Sequence, residues 1–164
     1  MPRNEDSSLP PRHVHVAAAT GAGKSQIMRN EIIPRKGVRA VFWDVDNDHY
    51  CERYNDKTLF MKKFNAAAKS SKPFRIGWNG EDTKEIFAWW SDLVWRCLDG
   101  DYDTYVVIEE AADLELGQSL VGTGLGKLLK RGRKYGAIVV SNTQRVQEIP
   151  KSLLTSAKDV YIGM

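Results

Sequence analysis

Residues 18–25 read AATGAGKS and end in a glycine, a lysine and a serine, residue types that suit the binding of phosphate. They nearly complete the pattern G-x-x-x-x-G-K-[ST], with Ala18 in place of the first glycine. In such a loop, glycines let backbone N–H groups turn towards a phosphate, and the start of the following helix adds positive potential. We expect Lys24 to reach the β- and γ-phosphates of a nucleotide and the Ser25 hydroxyl to bind Mg²⁺.

The alternative interpretation of this segment is a glycine-bearing turn that matches the pattern by accident. A predicted strand precedes the loop and a predicted helix follows it, and this context favours a phosphate loop. Alanine accepts negative φ where the chain leaves a strand, so we predict that Ala18 lies outside the positive-φ part of the loop. The predicted nucleotide-binding residues are Thr20, Gly21, Ala22, Gly23, Lys24, Ser25 and Gln26.

Two adjacent glutamates end an apolar run in residues 105–114, which read YVVIEEAADL. The carboxyl end of a strand is where an α/β sheet presents its ligand-binding edge. In ATPases of this layout, the first acid (Glu109) holds the Mg²⁺ shell and the second (Glu110) polarises the attacking water. Aspartate is usual at the first position, so Glu109 must retract or reach the metal through water. The alternative is a solvated acidic strand end.

Two further segments carry polar or basic groups. Residues 142–144, Asn-Thr-Gln, follow a predicted strand, and an amide such as Gln144 can orient water or sense hydrolysis; the alternative is a polar loop cap. Residues 127–136 read KLLKRGRKYG, and the default interpretation of such a run is a solvated basic helix end. Alternatively, Arg131 or Arg133 acts as an arginine finger on a neighbouring subunit's nucleotide, or the run touches DNA phosphates.

The elements that must position these groups alternate between apolar strands and helices. Continuous apolar strands separated by helices indicate an α/β fold with a mostly parallel sheet and helices on both faces. A short edge strand is predicted at 74–78. The other predicted strands are 13–18, 38–43, 104–108, 137–141 and 159–162, and the predicted helices are 25–33, 59–69, 83–98, 120–131 and 151–157.

Length and composition restrict the classes of function. The 164 residues suffice for a single domain with its own core, which we assign to residues 13–164, after a flexible polar tail at 1–12. The net charge of +3 is too small to argue nucleic-acid binding by itself. Neither Cys51 nor Cys97 has a second Cys or His at the spacing of a metal site. We therefore predict that both are reduced thiols in an intracellular protein. We find no signal region and no apolar run of the ~20 residues that a transmembrane helix needs, so we expect neither secretion nor a membrane span.

Together, the segments ATGAGKS, VVIEEAADL, RGRKYGAIVVSNTQR and IPKSLL resemble the FtsK–HerA superfamily of P-loop ATPases over roughly residues 13–163. The chain is most similar to the small genome-packaging ATPases of tailless, membrane-containing double-stranded DNA viruses. The resemblance implies a single-domain, RecA-like (ASCE) fold with the strand order 5-1-4-3-2, and a ring, usually hexameric, that uses ATP to move double-stranded DNA. Capsid or vertex proteins are further candidate partners, and the implied location is the host cytoplasm or the virion.

The resemblance also implies roles for individual residues. Carried over by position, Lys24 and Ser25 bind phosphate and Mg²⁺, Glu109 is the metal carboxylate, Glu110 the catalytic glutamate, Gln144 the polar sensor, and Arg131 or Arg133 the trans-acting arginine. The chain departs from the family pattern at Ala18, at Glu109, and in ending just after the fifth strand. We therefore expect DNA contacts to come from loops of the core or from a partner protein.

The sequence leaves two other classes of function open. One is a small-molecule P-loop kinase in which the basic run 127–136 forms a lid over the phosphates. The adjacent glutamates argue against it, since a kinase needs no water-activating acid. The other is a non-enzymatic assembly or secretion module that binds ATP only as a structural ligand.

Overall fold

A parallel sheet forms the centre of the protein in the computed structural model, which describes residues 3–19, 21 and 23–163. Its strands are β1 (Val14–Ala18), β2 (Arg39–Trp43), β3 (Glu52–Tyr54), β4 (Phe74–Trp78), β5 (Thr104–Ile108), β6 (Ala137–Thr143) and β7 (Asp159–Gly163). They lie side by side in the order β3-β4-β2-β5-β6-β1-β7, and every pair is parallel. The predicted α/β class is therefore confirmed.

The strand order differs from the predicted 5-1-4-3-2 because two more strands extend one side of the sheet. The five strands of that prediction keep their succession, as β7-β1-β6-β5-β2. However, β4 was predicted to be an edge strand and instead lies between β3 and β2. The edge is formed by β3, whose three partly exposed residues, Glu-Arg-Tyr, give no apolar signal in the sequence.

The helices agree with the predicted ones except at their ends. They are α1 (Lys24–Ile27), α2 (Lys57–Lys69), α3 (Lys84–Cys97), α4 (Gly124–Arg131) and α5 (Lys151–Thr155). The helix predicted at 25–33 is α-helical only to Ile27 and continues as a π-helical segment, Met28–Ile32. The helix predicted from residue 120 begins only at Gly124, because the Thr123 side chain accepts the Gly126 N–H and caps the helix there. Within the described ranges, no helix has the length and apolar character needed to cross a bilayer.

Helices cover both faces of the sheet, but unequally. Successive residues of a strand point to opposite faces; in β2, Val41 and Trp43 belong to one apolar cluster and Ala40 and Phe42 to another. The larger cluster includes buried side chains of α2, α3, α4 and α5. The smaller cluster is covered by the segment that follows the phosphate loop, through Met28 and neighbouring residues. The segment that carries the predicted phosphate site therefore packs on a face of its own.

Residues 3–12 lie against the edge of the sheet at which the strands begin. The Asp6 N–H donates to the Lys134 carbonyl at 2.9 Å, and the Arg12 guanidinium forms two 2.8 Å bonds to the carboxylate of Asp103, just before β5. Glu5 pairs with Lys134 at 2.7 Å. These contacts locate the segment on the domain; that residues 1–12 form a flexible tail stays a prediction.

Candidate functional site

The segments predicted to carry chemistry meet at the edge of the sheet where the strands end, which we call the carboxyl edge. In the sheet, β5, β6 and β1 are neighbours. The carboxyl ends of β5 and β1 lead into the acid pair and the phosphate loop, whereas β6 runs two residues further than predicted and includes Asn142 and Thr143, so that only Gln144 follows it. Parallel strands end at one common edge, so three segments that are distant in the sequence come together there.

The phosphate loop has the backbone conformation that its glycines were expected to allow. Gly21 and Gly23 have φ values of 80° and 81°, a left-handed region that other residues rarely adopt. Ala18 is the last residue of β1, pairs with Gly163 of β7, and is not a positive-φ residue, so the prediction for Ala18 is confirmed. No described atom lies within 4 Å of the point where a Gly21 Cβ would be, which leaves this side of the loop open.

The remaining loop residues occupy different environments. Thr20 and Ala22 lie outside the described residues. Lys24 is buried, only 7% exposed, whereas Ser25 is half-buried and Gln26 is exposed on α1. Gly23 caps α1 without a side-chain hydrogen bond. Because glycine has no side chain, the cap residue itself leaves the first N–H groups of α1 available, as a phosphate site requires.

Glu110 lies at the centre of the site. Its Oε1 is 3.3 Å from Nζ of Lys24 and accepts a 3.0 Å hydrogen bond from Nε2 of Gln144. Its backbone N–H donates to Oδ1 of Asn142 at 2.7 Å. Its φ of 48° is left-handed, a conformation that costs a non-glycine residue about 1 kcal/mol and that these contacts hold in place. The structure thus brings together three of the predicted catalytic residues.

Glu109 is buried and held from both sides. His49 Nε2 donates to its Oε1, and Asn142 Nδ2 donates to its Oε2. Both Glu109 and His49 are at most 3% exposed. Because both carboxylate oxygens accept bonds within the protein, a metal ion bound directly to Glu109 would have to replace one of them. The predicted role of Glu109 as a metal carboxylate stays a prediction.

The loop between β2 and β3 delivers His49 and also a second acid. Asp44 is fully buried at the end of β2, and its carboxylate accepts the backbone N–H groups of Asp48 at 2.7 Å and His49 at 2.9 Å. Burial raises the pKa of Asp44, while these two amides act in the opposite direction. The turn that results places Asp48 beside the phosphate loop, where the Ser25 hydroxyl lies 3.4 Å from Oδ2 of Asp48.

Negative charge accumulates around this site. The pKa of Asp46 is raised, first by burial and then by the four carboxylates around it, those of Asp48, Asp113, Glu109 and Glu110. Within residues 3–19, 21 and 23–163, no group of three or more His, Cys, Asp or Glu side chains is arranged as a ready-made metal site. The geometry supplies an excess of carboxylate oxygens next to a hydroxyl rather than a closed metal centre.

The two predicted trans-acting arginines do not reach the carboxyl edge of the sheet. They lie at the end of α4 and just after it, near Gly136, whose carbonyl accepts the N–H of Thr104 at the start of β5. The Arg133 guanidinium donates to the Leu9 carbonyl at 2.6 Å. Arg131 is exposed, and its guanidinium lies 5.9 Å from the centre of the Trp95 ring. Both are therefore at the opposite edge of the sheet.

Three residues that sequence reasoning did not assign to the site belong to it by position. The motifs assign no role to His49 or Asp48, and they place Asn142 only among the polar residues 142–144. A signal existed, because the run Asp44-Val-Asp-Asn-Asp48-His49 directly follows a buried strand and so had to lie at the carboxyl edge. What the sequence does not contain is the pairing of His49 with a glutamate 60 residues away.

Solved structures with the same fold include two viral proteins. The genome packaging NTPase B204 of Sulfolobus turreted icosahedral virus 2, in complex with AMPPCP, superimposes with a TM-score of 0.69 at 15% identity, covering 90% of this chain and 73% of that chain. The DNA-packaging ATPase B204 of Sulfolobus turreted icosahedral virus gives a TM-score of 0.66 at 16% identity, with coverage of 90% and 73%. With the phosphate loop and the acid pair in place, this fold is that of a P-loop NTPase.

A relative that is similar in sequence identifies the family to which the chain belongs. Protein P9 of Pseudoalteromonas phage PM2 is 32% identical over 161 residues, which are 96% of this chain and 71% of that protein. The chain therefore belongs to the P9 family. No family model matches it. The relationship and the fold together confirm the resemblance to viral genome-packaging ATPases that the motifs indicate.

Proposed function

We propose that the protein is an ATP-hydrolysing motor that moves or packages double-stranded DNA, in particular a viral genome. The observation that carries this proposal is the arrangement of Lys24, Glu110 and Gln144 at the carboxyl edge, where a buried cation and an amide both contact one carboxylate. The same fold occurs in proteins described as a genome packaging NTPase and a DNA-packaging ATPase, which supports the substrate class.

The residues of the loop fit ATP with Mg²⁺. No described atom occupies the space beside Gly21, the cap residue Gly23 has no side chain to block the start of α1, and Lys24 is directed into the site. Hydroxyl and carboxylate oxygens are the ligands that Mg²⁺ prefers, so Ser25 would hold the ion together with Asp48 or Glu109. A divalent cation would also offset the excess negative charge that raises the pKa of Asp46. When bound, Mg²⁺ would neutralise charge on the β- and γ-phosphates.

The three central side chains then have distinct tasks. Lys24 binds the terminal phosphates and stabilises their charge. Glu110 accepts a proton from the attacking water, a contribution of about 10² to 10⁴ in rate for a positioned base. Gln144 orients that water or reports on the γ-phosphate, since its amide contacts the same carboxylate oxygen. Asn142 and His49 hold the two glutamates in position.

Assembly and location follow from the same proposal. We infer a ring, with a hexamer as the expected size, because Arg131 and Arg133 can act on a nucleotide only if another copy provides it. Both lie away from the carboxyl edge of their own subunit. Capsid or vertex proteins are the partners that such a ring would require, and the host cytoplasm or the virion is where it would work.

The proposal is tested by measuring ATP hydrolysis by the purified chain with and without duplex DNA, and its mass in solution with and without ATP. We expect hydrolysis to release inorganic phosphate, to rise with duplex DNA and to be abolished by Lys24→Ala. Lys84→Ala, which removes an exposed lysine at the start of α3, is the matched control and should behave as the natural protein. A chain that binds ATP but releases no phosphate under either condition would contradict the proposal.

A further inference from the structure

A basic cavity lies beside the helical segment that follows the phosphate loop. It has a volume of about 460 Å³. Arg29 and Asn30 of that segment form one wall, and the connection to β2, the β2–β3 loop and β4 supply the others. The lining residues are Arg29, Asn30, Arg35, Lys36, Tyr50 and Arg75. Four of these six side chains are cations, and none is an acid.

The arginines of this basic cavity bond to neutral oxygens. Arg29 donates to the backbone carbonyls of Ser25 at 3.2 Å and Asp48 at 2.8 Å. Arg35 donates to the side-chain oxygen of Asn30, also at 2.8 Å. Arg75 donates to two backbone carbonyls, 2.7 Å and 3.1 Å away. These bonds orient the guanidinium groups but leave their charges uncompensated.

No ion pair among the described residues includes any of the four cations. The lack of a counter-charge destabilises the charged form of Arg75 in particular. Its guanidinium is half-buried against the Phe42 ring, 4.9 Å from the ring centre, and burial lowers the pKa of Arg75. A partly desolvated cation without a counter-charge is stabilised when an anion binds beside it. The charge of the cavity therefore favours a negatively charged ligand.

We propose that the basic cavity binds the phosphodiester backbone of the DNA duplex, an assignment that rests on the proposed function. Arginine forks match the oxygens of a phosphate group, and a tyrosine hydroxyl is a further donor of the kind that contacts phosphate and sugar. Tyr50 stands at the rim and is 87% exposed. The cavity offers cations and a phenol rather than a base-reading surface, so the contact is independent of sequence.

The location also connects this contact to the nucleotide site. Arg29 bonds the backbone of both Ser25 and Asp48, the two residues that approach each other beside the phosphate loop. Arg29 lines the cavity together with Arg35, Lys36 and Arg75, so a duplex bound there would lie beside the side chain that bonds the backbone of the two proposed Mg²⁺ ligands. This gives bound DNA a direct structural route to the hydrolytic site.

The test is the salt dependence of DNA binding by the full chain and by the double variant Arg35→Ala/Lys36→Ala, whose two changed residues are exposed and lie outside the nucleotide site. Each phosphate contact contributes about 0.9 to the slope of log K against log salt. We expect the variant to lose roughly two units of that slope and to bind several unrelated duplexes more weakly, by roughly ten-fold or more at 0.1 M salt. ATP hydrolysis without DNA should be unchanged.

The matched control is Lys62→Ala/Lys63→Ala, which removes the same charge from two exposed positions of α2, whose buried side chains pack on the other face of the sheet. It should bind DNA as the natural chain does. An unchanged slope in the Arg35/Lys36 variant would overturn the assignment while leaving the ATPase proposal intact. A loss of tripolyphosphate or ATP binding in that variant, with DNA binding unaffected, would overturn it in favour of a free polyphosphate ligand. If the natural chain binds no DNA, both the assignment and the DNA part of the proposed function fail.

Discussion

Lys24 and Glu110 form an ion pair at the carboxyl edge of the sheet, with Nζ of the lysine 3.3 Å from Oε1 of the glutamate. Their side chains are only 8% and 19% exposed. The cation assigned to phosphate and the proposed base therefore neutralise each other in the protein. A phosphate that binds Lys24 must compete with this carboxylate, and the competition would release an oxygen of Glu110 for water. Nucleotide binding and hydrolysis should thus be separable by mutation.

Replacing His49 with leucine should slow hydrolysis without weakening ATP binding. The change removes the donor to Glu109 Oε1, so the carboxylate loses one of the two bonds that fix its direction. Losing such a supporting contact costs about 10- to 100-fold. We expect kcat to fall by that factor, with the ATP dissociation constant within about two-fold of its original value.

His49→Gln is the matched variant, since its amide can donate to the same oxygen. It should recover most of the activity lost in His49→Leu. Thermal unfolding of both proteins separates this effect from a general loss of packing around the buried ring. Equal kcat values for the leucine and glutamine variants would show that the donor to Glu109 does not matter.

Asp48→Asn should raise the Mg²⁺ concentration needed for half-maximal hydrolysis. The carboxylate is 3.4 Å from the Ser25 hydroxyl and is the acid that approaches it most directly. Removing a charged ligand should increase the requirement by roughly ten-fold or more. The measurement is a Mg²⁺ titration at saturating ATP, with the exposed Asp82→Asn as control.

Glu109→Gln in the same titration distinguishes the two candidate metal acids. If Glu109 acts mainly through its bonds to His49 and Asn142, its substitution should lower kcat more than it changes the Mg²⁺ requirement. A large shift in the requirement for Glu109→Gln, with none for Asp48→Asn, would return the metal role to Glu109.

The sequence predicted those parts of the protein whose signal is local. The strands β1, β2, β5 and β6 are continuous apolar runs, and their alternation with helices implies a parallel sheet whose ends share one edge. That edge brings Lys24, Glu110 and Gln144 together. The negative-φ position of Ala18 also follows from where the chain leaves β1.

The parts that the sequence did not predict depend on contacts between distant segments. Glu109 bonds His49 across 60 residues, and nothing in either local pattern specifies that pair. The strand β3 is polar and is defined by its pairing with β4 rather than by its composition. The uncompensated charge of the basic cavity becomes visible only when four segments are placed side by side: the helical segment after the phosphate loop, the connection to β2, the β2–β3 loop and β4.

Stability should fall as the pH drops from 6.5 towards 4, in part because of His15. This ring is fully buried, its Nδ1 lies 2.7 Å from the Ser141 hydroxyl, and burial lowers its pKa from 6.5 to about 4. Between these values the unfolded chain binds the proton and the folded chain does not, so stability rises with pH across this window. The full difference between the two pKa values corresponds to roughly 3 kcal/mol in the free energy of unfolding.

Chemical denaturation of the natural chain and of His15→Gln at several pH values measures this contribution. Between pH 4 and 6.5, the free energy of unfolding of the variant should rise less steeply with pH than that of the natural chain, whatever its stability at pH 7. Part of the slope should remain, because burial also lowers the pKa of His13. Parallel curves for the two proteins would show that His15 is protonated equally in both states.

The most direct test of the hydrolytic site is a single-turnover measurement of ATP hydrolysis by Glu110→Gln, together with its ATP dissociation constant. Glu81→Gln, at an exposed acid outside the site, is the control and should hydrolyse at the natural rate. We expect Glu110→Gln to bind ATP at least as well as the natural chain, because Lys24 loses its competing carboxylate. Its hydrolysis should be slower by about 10² to 10⁴. Hydrolysis by Glu110→Gln at the natural rate would contradict the assignment of Glu110 as the base.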